Sequence, residues 1–423
     1  MTRFLRIAAL ILAGEMIYGL PFHTQRFFRP TMLDAFGITN TQLGDMFAAF
    51  GITAMVSYFF GGPLADRYSA RSLMVTSLIL TALGGFYMAT IPGVLEMTLL
   101  YAFWGVTTSF LFWAALIKAT RDWGGSSSQG VAFGVLDGGR GLAAAILGAV
   151  AVGILASFLP EQTDQISSAN RRAGMGSIIT FYASITLACA VLAWFLVPHD
   201  ARSVNVERNP FAGVMEVIRR PLVWAQAGII ICAYCGYKGV DNYSLYAVQV
   251  LGKSEVDAAL LATYGFYIRP VAAIAAGLIA DRFDSARSIF IMFLAMIITY
   301  GSLSVLTLET TTLFVIFANL FVTLFAVFAI RGIYYALLEE TRTPKHLTGA
   351  SVAVIAFVGY TPEIFFGPVT GRILDANPGV PGFHNYFLFL AIVSSLGALV
   401  SLLLIKLNRR PATAAGESTL ATR

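Results

Sequence analysis

Long apolar runs, separated by short polar breaks, organise the whole chain. Twelve such runs recur, and glycine, proline and charged residues mark the breaks between them. The runs cover residues 7–28, 41–61, 72–91, 96–117, 130–158, 174–197, 222–250, 257–280, 287–307, 312–338, 348–374 and 384–406. A helix needs roughly 20 mostly apolar residues to cross a bilayer. The pattern therefore predicts an all-α membrane protein with twelve transmembrane helices.

The composition agrees with lipid as the solvent. Of the 423 residues, 57% are hydrophobic and 12% are charged, whereas soluble domains carry about 25% charged residues. The first run follows Arg3 and Arg6, as a signal peptide would, but it is too long for a signal core. We interpret it as the first transmembrane helix.

The basic residues between the runs and near their ends predict the orientation. Eighteen lysines and arginines fall on the side that holds both termini, and six fall on the other side: Arg26, Arg29, Arg171, Arg172, Lys253 and Arg372. The positive-inside rule places both termini in the cytoplasm, in a bacterial-type inner membrane. The net charge of +5 is explained by this topology, so no nucleic-acid partner is expected.

The longest polar connection predicts the domain organisation. It lies between the sixth and seventh runs and contains the sequence HDARSVNVERNP. We expect a six-helix bundle over 1–198, a cytoplasmic linker over 199–221 and a second six-helix bundle over 222–407. The small, polar segment 408–423 is expected to be a disordered cytoplasmic tail.

An internal repeat supports two related halves. GPLADRYSARS over Gly62–Ser72 returns as GLIADRFDSARS over Gly277–Ser288, and the two aspartates are 215 residues apart. Parallel halves of this kind are a known transporter architecture. Charges at equivalent turns predict a gate at the cytoplasmic side, and the alternative is that they only fix topology. The gating candidates are Asp66, Arg67, Arg71, Asp281, Arg282 and Arg287.

This repeated loop resembles the signature of the major facilitator superfamily. The resemblance implies two pseudo-symmetric six-helix bundles that alternate in access around one central cavity. The segment Asp122–Ile146, DWGGSSSQGVAFGVLDGGRGLAAAI, is similar to the organic-anion and anion:cation symporter branches, and the chain also resembles nitrate/nitrite-transporter-like proteins. It departs from nitrate porters because the second run has no arginine. Arg26 and Arg29 fall later than the substrate arginine of the anion:cation porters.

Ionisable residues within the runs are the candidate functional groups, because a charge at the bilayer centre usually faces a cavity or a partner. The resemblance implies that helices 1, 4, 5, 7, 8, 10 and 11 surround the cavity, and the charges fall on six of these. The cations at mid-depth are Arg140, Lys238, Arg269 and Arg331, and the anions are Glu15, Asp137, Asp241 and Glu363.

The cations predict an anion site. Arg269 and Arg331 have no acidic residue at helical spacing, and a guanidinium suits carboxylate, sulfonate or phosphate. We expect Arg269 first, then Arg140 and Arg331, to bind substrate, together with Lys238, Tyr18, Tyr237 and Tyr267. Glu15 and Glu363 are the proton-coupling candidates, with Asp137 and Asp241 beside them. Asp137 with Arg140, and Lys238 with Asp241, are each three residues apart, so either pair can instead be a structural ion pair.

These residues predict a secondary active transporter, expected to be a monomer, that moves a small anionic solute by proton-coupled symport. Its energy source would be a proton or sodium gradient, with no cofactor. No metal site is expected, because the four histidines lie at the ends of runs or in loops. ATP-driven pumping is disfavoured, because no phosphate-binding loop of the form GxxxxGK[ST] is present. One alternative is proton-coupled efflux of amphipathic compounds. Another is a membrane sensor or enzyme.

Overall fold

Twelve long helical segments, some continuous and some interrupted, make up most of the described residues, and we call these segments rods. The computed structural model describes residues 2–125, 129–159, 167–199, 213–309, 311–341, 343–344 and 347–408. The rods are α1 (Thr2–Met16 and Thr24–Phe27), α2 (Asn40–Arg67), α3 (Ala70–Met88), α4 (Val94–Val106 and Ala114–Gly124), α5 (Gln129–Ala156), α6 (Ser168–Leu196), α7 (Pro221–Gly239 and Tyr243–Gln249), α8 (Glu255–Gly265 and Ile268–Phe283), α9 (Ser285–Leu303), α10 (Leu313–Ile333), α11 (Thr348–Gly359 and Pro362–Ala376) and α12 (Val380–Asn408). Short helices cover Arg29–Phe36, Val214–Ile218 and Leu337–Glu340.

The rods coincide with the predicted runs to within several residues. In the described ranges, nine helices are long and apolar enough to cross a membrane, and the bent pair in α1 makes ten. The other two rods are α2, which has 28 residues, and α7, which is interrupted by a 3₁₀ turn at Val240–Asn242. The prediction of an all-α membrane fold is confirmed.

Five rods are interrupted part-way along their length. In α1 the two pieces bend by 44° around a π-helical turn at Gly19–His23, where Pro21 supplies no backbone N–H. A second π-helical turn, Thr107–Trp113, interrupts α4. In α11, Pro362 opens the second piece. Because broken helices free backbone groups and redirect side chains, these interruptions bring polar residues to the centre of the molecule.

The two bundles meet most closely where α2 packs against α11. A Cβ atom on Gly44 would lie 2.3 Å from the carbonyl oxygen of Gly367, and one on Gly371 would lie 2.5 Å from that of Asn40. Only glycine permits backbones to approach so closely. We call this contact the glycine seam.

Polar contacts close the molecule on the face opposite the two termini. Asp375 of α11 accepts hydrogen bonds from the backbone N–H groups of Asn40 (3.2 Å) and Thr41 (2.7 Å) at the start of α2. Arg372 reaches Asp45 at 3.0 Å. Glu255 at the start of α8 accepts from Thr31 (2.5 Å) and pairs with Arg171 of α6 (2.7 Å). Each contact joins one bundle to the other, so this face is shut.

Replacing Asp375 with alanine should weaken this closure. The two backbone amides of α2 would lose a charged acceptor, which costs about 1 to 2 kcal/mol at a half-exposed site. We expect the distance between spin labels at the exposed positions Glu96 and Glu309, on the closed face, to lengthen in a measurable fraction of molecules. Glu216→Ala, which removes an exposed carboxylate from the short helix before α7, is the control and should leave that distribution unchanged.

Most of the predicted linker and tail lies outside the described residues. Residues 200–212 and 409–423 belong to that part, so the expectation of a disordered tail stays a prediction. Within the predicted linker the structure describes the short helix Val214–Ile218.

Candidate functional site

A cavity with about 890 Å³ of empty space, counted out into open solvent, lies between the two bundles. Eight helices contribute to its wall, namely α1, α2, α4, α5, α7, α8, α10 and α11. The wall includes several residues predicted from the sequence: Glu15, Tyr18, Arg140, Tyr237, Arg269, Arg331 and Glu363. The broken helices thus bring charges from distant parts of the chain to one place.

The carboxylate of Glu15 anchors one group of charges. The break in α1 turns Glu15 and His23 to the same side, with His23 Nε2 3.1 Å from Glu15 Oε1. Arg140 Nε of α5 lies 3.0 Å from Glu15 Oε2, but its Nη1 is 4.0 Å from Asp137 Oδ1. The main partner of Arg140 is therefore on another helix, and the pair that sequence spacing suggested is the looser contact.

Arg269 forms an ion pair that joins the two bundles. Its Nη2 lies 2.5 Å from Asp137 Oδ1 of α5. The Arg269 side chain is buried, while half of the Asp137 side chain is exposed. Arg269 lacks an acidic neighbour along its own helix, as the sequence indicated, and finds one in the other bundle.

Asp241 is the centre of a second group, where α1, α7 and α11 meet at their breaks. It accepts a hydrogen bond from Arg26 Nε of α1, and its other oxygen lies 3.1 Å from Lys238 Nζ. Lys238 Nζ also lies 3.3 Å from Glu363 Oε2 of α11, and Tyr234 donates to Glu363. All of these groups except Tyr234 are buried. They form a continuous ionic network from one bundle to the other.

Arg331 differs from the other cavity cations. No carboxylate oxygen of a described residue lies within ion-pair distance of its guanidinium, which instead stacks 3.8 Å above the ring of Tyr237 and 5.9 Å from that of Tyr234. Its Nη1 is buried and has no hydrogen-bond partner among the described residues. An unpaired guanidinium with a free donor is a ready receptor for an anion.

The charges at the cavity do not cancel. Among the described residues of the wall and their ion-pair partners, five cations face four carboxylates, with His23 counted as neutral. The cations are Arg26, Lys238, Arg140, Arg269 and Arg331, and the carboxylates are those of Glu15, Asp137, Asp241 and Glu363. Since the others are paired, the excess positive charge resides at Arg331.

Aromatic side chains form much of the remaining wall. Tyr18 and Trp113 lie beneath the Arg140 guanidinium at 5.7 and 5.8 Å, and Tyr360 lies near Tyr234. Tyr267 does not join them, because at the break in α8 its side chain points outward, is 40% exposed and packs beside Tyr264. The structure therefore does not bring Tyr267 to the cavity wall.

Arg26 is the main residue that sequence reasoning missed. Its position near the end of the first run predicts a place at the membrane edge for it and for Arg29, yet the two residues are 2% and 4% exposed. Arg26 stacks on Tyr237 and Phe266 of the other bundle, and Arg29 donates to Asn40 and Gln25. The bend in α1 carries this segment inward. The turn-forming Gly19 and Pro21 within the first run were the only sequence signal for it.

The predicted gating residues lie at the face that holds the termini. Arg71 donates to the carbonyl of Val197 at 2.5 Å, and Arg287 pairs with Asp284 at 3.1 Å. Arg67 and Arg282 are exposed, while the side chains of Asp66 and Asp281 lie outside the described part of the structure. Each described contact stays within one bundle, so the gating role remains a prediction.

Two bundles of broken helices around a shared, charged cavity define the architecture of a membrane transporter. The chain belongs to the Major Facilitator Superfamily, whose family model matches residues 11–365. It is therefore a transporter of small molecules, not an enzyme.

Two proteins with similar sequences are named inner membrane proteins. The chain is 27% identical to Inner membrane protein YihN of Escherichia coli (strain K12), with 94% of each chain covered. It is 24% identical to Inner membrane protein YqcE of the same organism, with 91% of each covered. Over 63% of this chain and 59% of the relative, it is 25% identical to the probable nitrate/nitrite antiporter NarK1 of Thermus thermophilus.

Solved structures share the fold. The nucleoside transporter NupG superposes with a TM-score of 0.70 at 12% identity, over 96% of this chain and 100% of that one. At this level of identity the similarity concerns the fold alone.

Proposed function

We propose that the protein carries a small organic or inorganic anion through the inner membrane by proton-coupled symport, with Arg331 as the anion receptor. The observation that carries the proposal is the guanidinium of Arg331, whose buried Nη1 is a free donor and which has no carboxylate partner among the described residues. The excess of one positive charge at the cavity favours a monoanion, because a single negative charge would neutralise the site. The name of the relative NarK1, probable nitrate/nitrite antiporter, also supports an anion.

The surrounding tyrosines fit this role. Tyr237 and Tyr234 hold the guanidinium plane against their rings and leave its edge free for a ligand. Arg140 and Arg269 are the next cations on the wall, and both are held by carboxylates. An arriving anion would therefore meet Arg331 first and the paired arginines second.

Proton coupling is assigned to Glu15. This carboxylate lies on the cavity wall between His23 and Arg140, so its protonation would release Arg140 toward the solute. With one monoanion and one proton bound, the cavity would carry the same net charge as when it is empty, and the two bundles could then move around the loaded site. The distribution of loop cations favours cytoplasmic termini. With that orientation, the closed face would be the outer one and the cavity would open toward the cytoplasm.

A thermal-shift screen tests the proposal. Purified protein would be heated at pH 5.5 and pH 7.5 with nitrate, phosphate, sulfonates, carboxylates, sugar acids and sugar phosphates, and with neutral sugars and lipophilic cations for comparison. A ligand that binds the native state raises the melting temperature. We expect one class of anion to do so, more strongly at pH 5.5 than at pH 7.5.

The variant Arg331→Gln should weaken binding of that anion about 10- to 100-fold, because it removes a charge-assisted hydrogen bond in a buried site. Arg331→Lys should retain part of the affinity. The control is Arg219→Gln, which removes an exposed arginine outside the cavity and should bind like the wild type. Stabilisation by lipophilic cations alone would instead favour the efflux function and make the arginines structural.

A further inference from the structure

An ammonium group fills a cage between the two bundles. Lys238 Nζ lies 3.1 Å from Asp241 Oδ2 and 3.3 Å from Glu363 Oε2. On the other side it lies 4.9 Å from the centre of the Phe22 ring and 4.3 Å from that of Phe47. Only 3% of the Lys238 side chain is exposed. Two carboxylates and two aromatic faces therefore enclose one positive charge.

The same groups would suit a free alkali cation. Small hard cations take oxygen ligands from carboxylates and amide carbonyls. Besides the two carboxylates, the amide oxygen of Asn242 is buried without a hydrogen-bond partner among the described residues. Asn242 lines the same small cavity as Lys238 and Asp241. The oxygen donors are present, and truncation of the lysine would open the space between them.

The charges also fit a single monovalent ion. Asp241 is held by Arg26 as well as by Lys238, so it would stay paired if Lys238 were absent. Glu363 would then keep a hydrogen bond from Tyr234 but lose its cation. Among the groups in ion-pair contact with Lys238 and Asp241, one negative charge would remain, and one Na⁺ would neutralise it. The buried Arg29 lines the same small cavity, but its guanidinium is held by Asn40 and Gln25.

We propose that Lys238 is a tethered cation that occupies the place of a coupling metal ion and makes the transport cycle independent of Na⁺. The ammonium joins α7 to α11 beside the breaks in both helices, and its contacts with Phe22 and Phe47 extend the junction to α1 and α2. A free ion would have to bind and leave in every cycle, whereas the lysine stays with the chain. The inference concerns the coupling ion and holds whichever solute the cavity carries.

The test uses Na⁺ itself as the probe on the purified full-length chain. The melting temperature is followed as NaCl replaces choline chloride at constant ionic strength. The wild type should show no difference between the two salts. Lys238→Ala should gain a saturable rise of about 2 °C near 100 mM Na⁺, the shift expected for a weak site. The double variant Lys238→Ala with Glu363→Gln should lose that rise.

Two matched variants separate the ion site from general effects. Lys238→Arg keeps a cation in the cage and should remain indifferent to Na⁺. Lys406→Ala removes an exposed lysine near the end of α12 and should also show no response. If Lys238→Ala is not recovered folded, Lys238→Met fills the same volume without the charge and serves in its place.

A saturable, Na⁺-specific stabilisation of the wild type would overturn the proposal. So would a monodisperse Lys238→Ala or Lys238→Met protein that melts identically in both salts. If neither variant can be purified folded, the wild-type titration decides alone, with a flat response in support. The anion screen with Arg331→Gln is a separate measurement, so either proposal can fail without the other.

Discussion

Asp241→Asn is expected to lower the stability of the protein by about 3 kcal/mol and to reduce transport of the anion found in the screen at least tenfold. The substitution removes the negative charge shared by Arg26 and Lys238, each of which is 2% exposed. A buried charge that loses its partner lowers the free energy of unfolding by about 3 kcal/mol or more, whereas removal of both partners of an ion pair lowers it far less. The melting temperature in detergent and uptake into proteoliposomes measure the two effects.

A compensating variant distinguishes a charge effect from a packing effect. Asp241→Asn combined with Arg26→Met removes the carboxylate together with the cation that has no other carboxylate partner among the described residues, while Lys238 keeps Glu363, so much of the lost stability should return. Glu216→Gln, which neutralises an exposed carboxylate paired with Arg220, should melt within about 1 °C of the wild type. An Asp241→Asn protein as stable as the wild type would show that the network is not a structural centre.

Gly44→Ala is expected to shift the protein away from the conformation in which the face around Asp375 is closed. Its Cβ would stand 2.3 Å from the carbonyl oxygen of Gly367, and backbone atoms on both sides leave little room to adjust. Overpacking of this kind costs about 1 to 3 kcal/mol. Because only the closed state brings α2 and α11 so near, the cost should shift the conformational equilibrium about tenfold or more toward the alternative state.

Paired spin labels report this shift. Labels at the exposed positions Arg67 and Arg282, on the face that holds the termini, should move closer in Gly44→Ala. Labels at Glu96 and Glu309, on the closed face, should move apart. Gly153→Ala in α5, where an added Cβ meets no atom within 4 Å, is the matched control. Unchanged distances in Gly44→Ala would mean that the glycine seam does not control access.

The fold could be predicted from the sequence because its determinants are local. Each apolar run encodes its own helix, and the ADR repeat places Asp66 and Asp281 at equivalent turns of the two halves. The breaks were harder to predict. Pro362 and Pro270 lie beside the breaks in α11 and α8, but the π-helical turn Thr107–Trp113 contains no proline or glycine and has no clear sequence signal.

The site could be predicted only in part, because its contacts are not local. The charged residues were found by their depth in the membrane, and most of them do reach one cavity. Their partners were not predictable. Arg26 and Asp241 are 215 residues apart in the sequence. Arg140 lies closer to Glu15 than to Asp137, although Asp137 is only three residues away in the sequence. Arg269 and Arg331 looked alike in the sequence, yet the fold gives a carboxylate to the first and tyrosine rings to the second.

The start of α2 has two kinds of cap, and this affects how fast the bundles can part. Thr39 and Gln42 accept hydrogen bonds from each other's backbone N–H groups within one bundle. Asp375, from the other bundle, caps the same helix end. When the bundles separate, the local cap stays, and water can take the place of the Asp375 carboxylate at this edge of the protein. The helix end need not unravel during the motion, so the activation barrier contains the loss of the Asp375 contacts but not the melting of a helical turn.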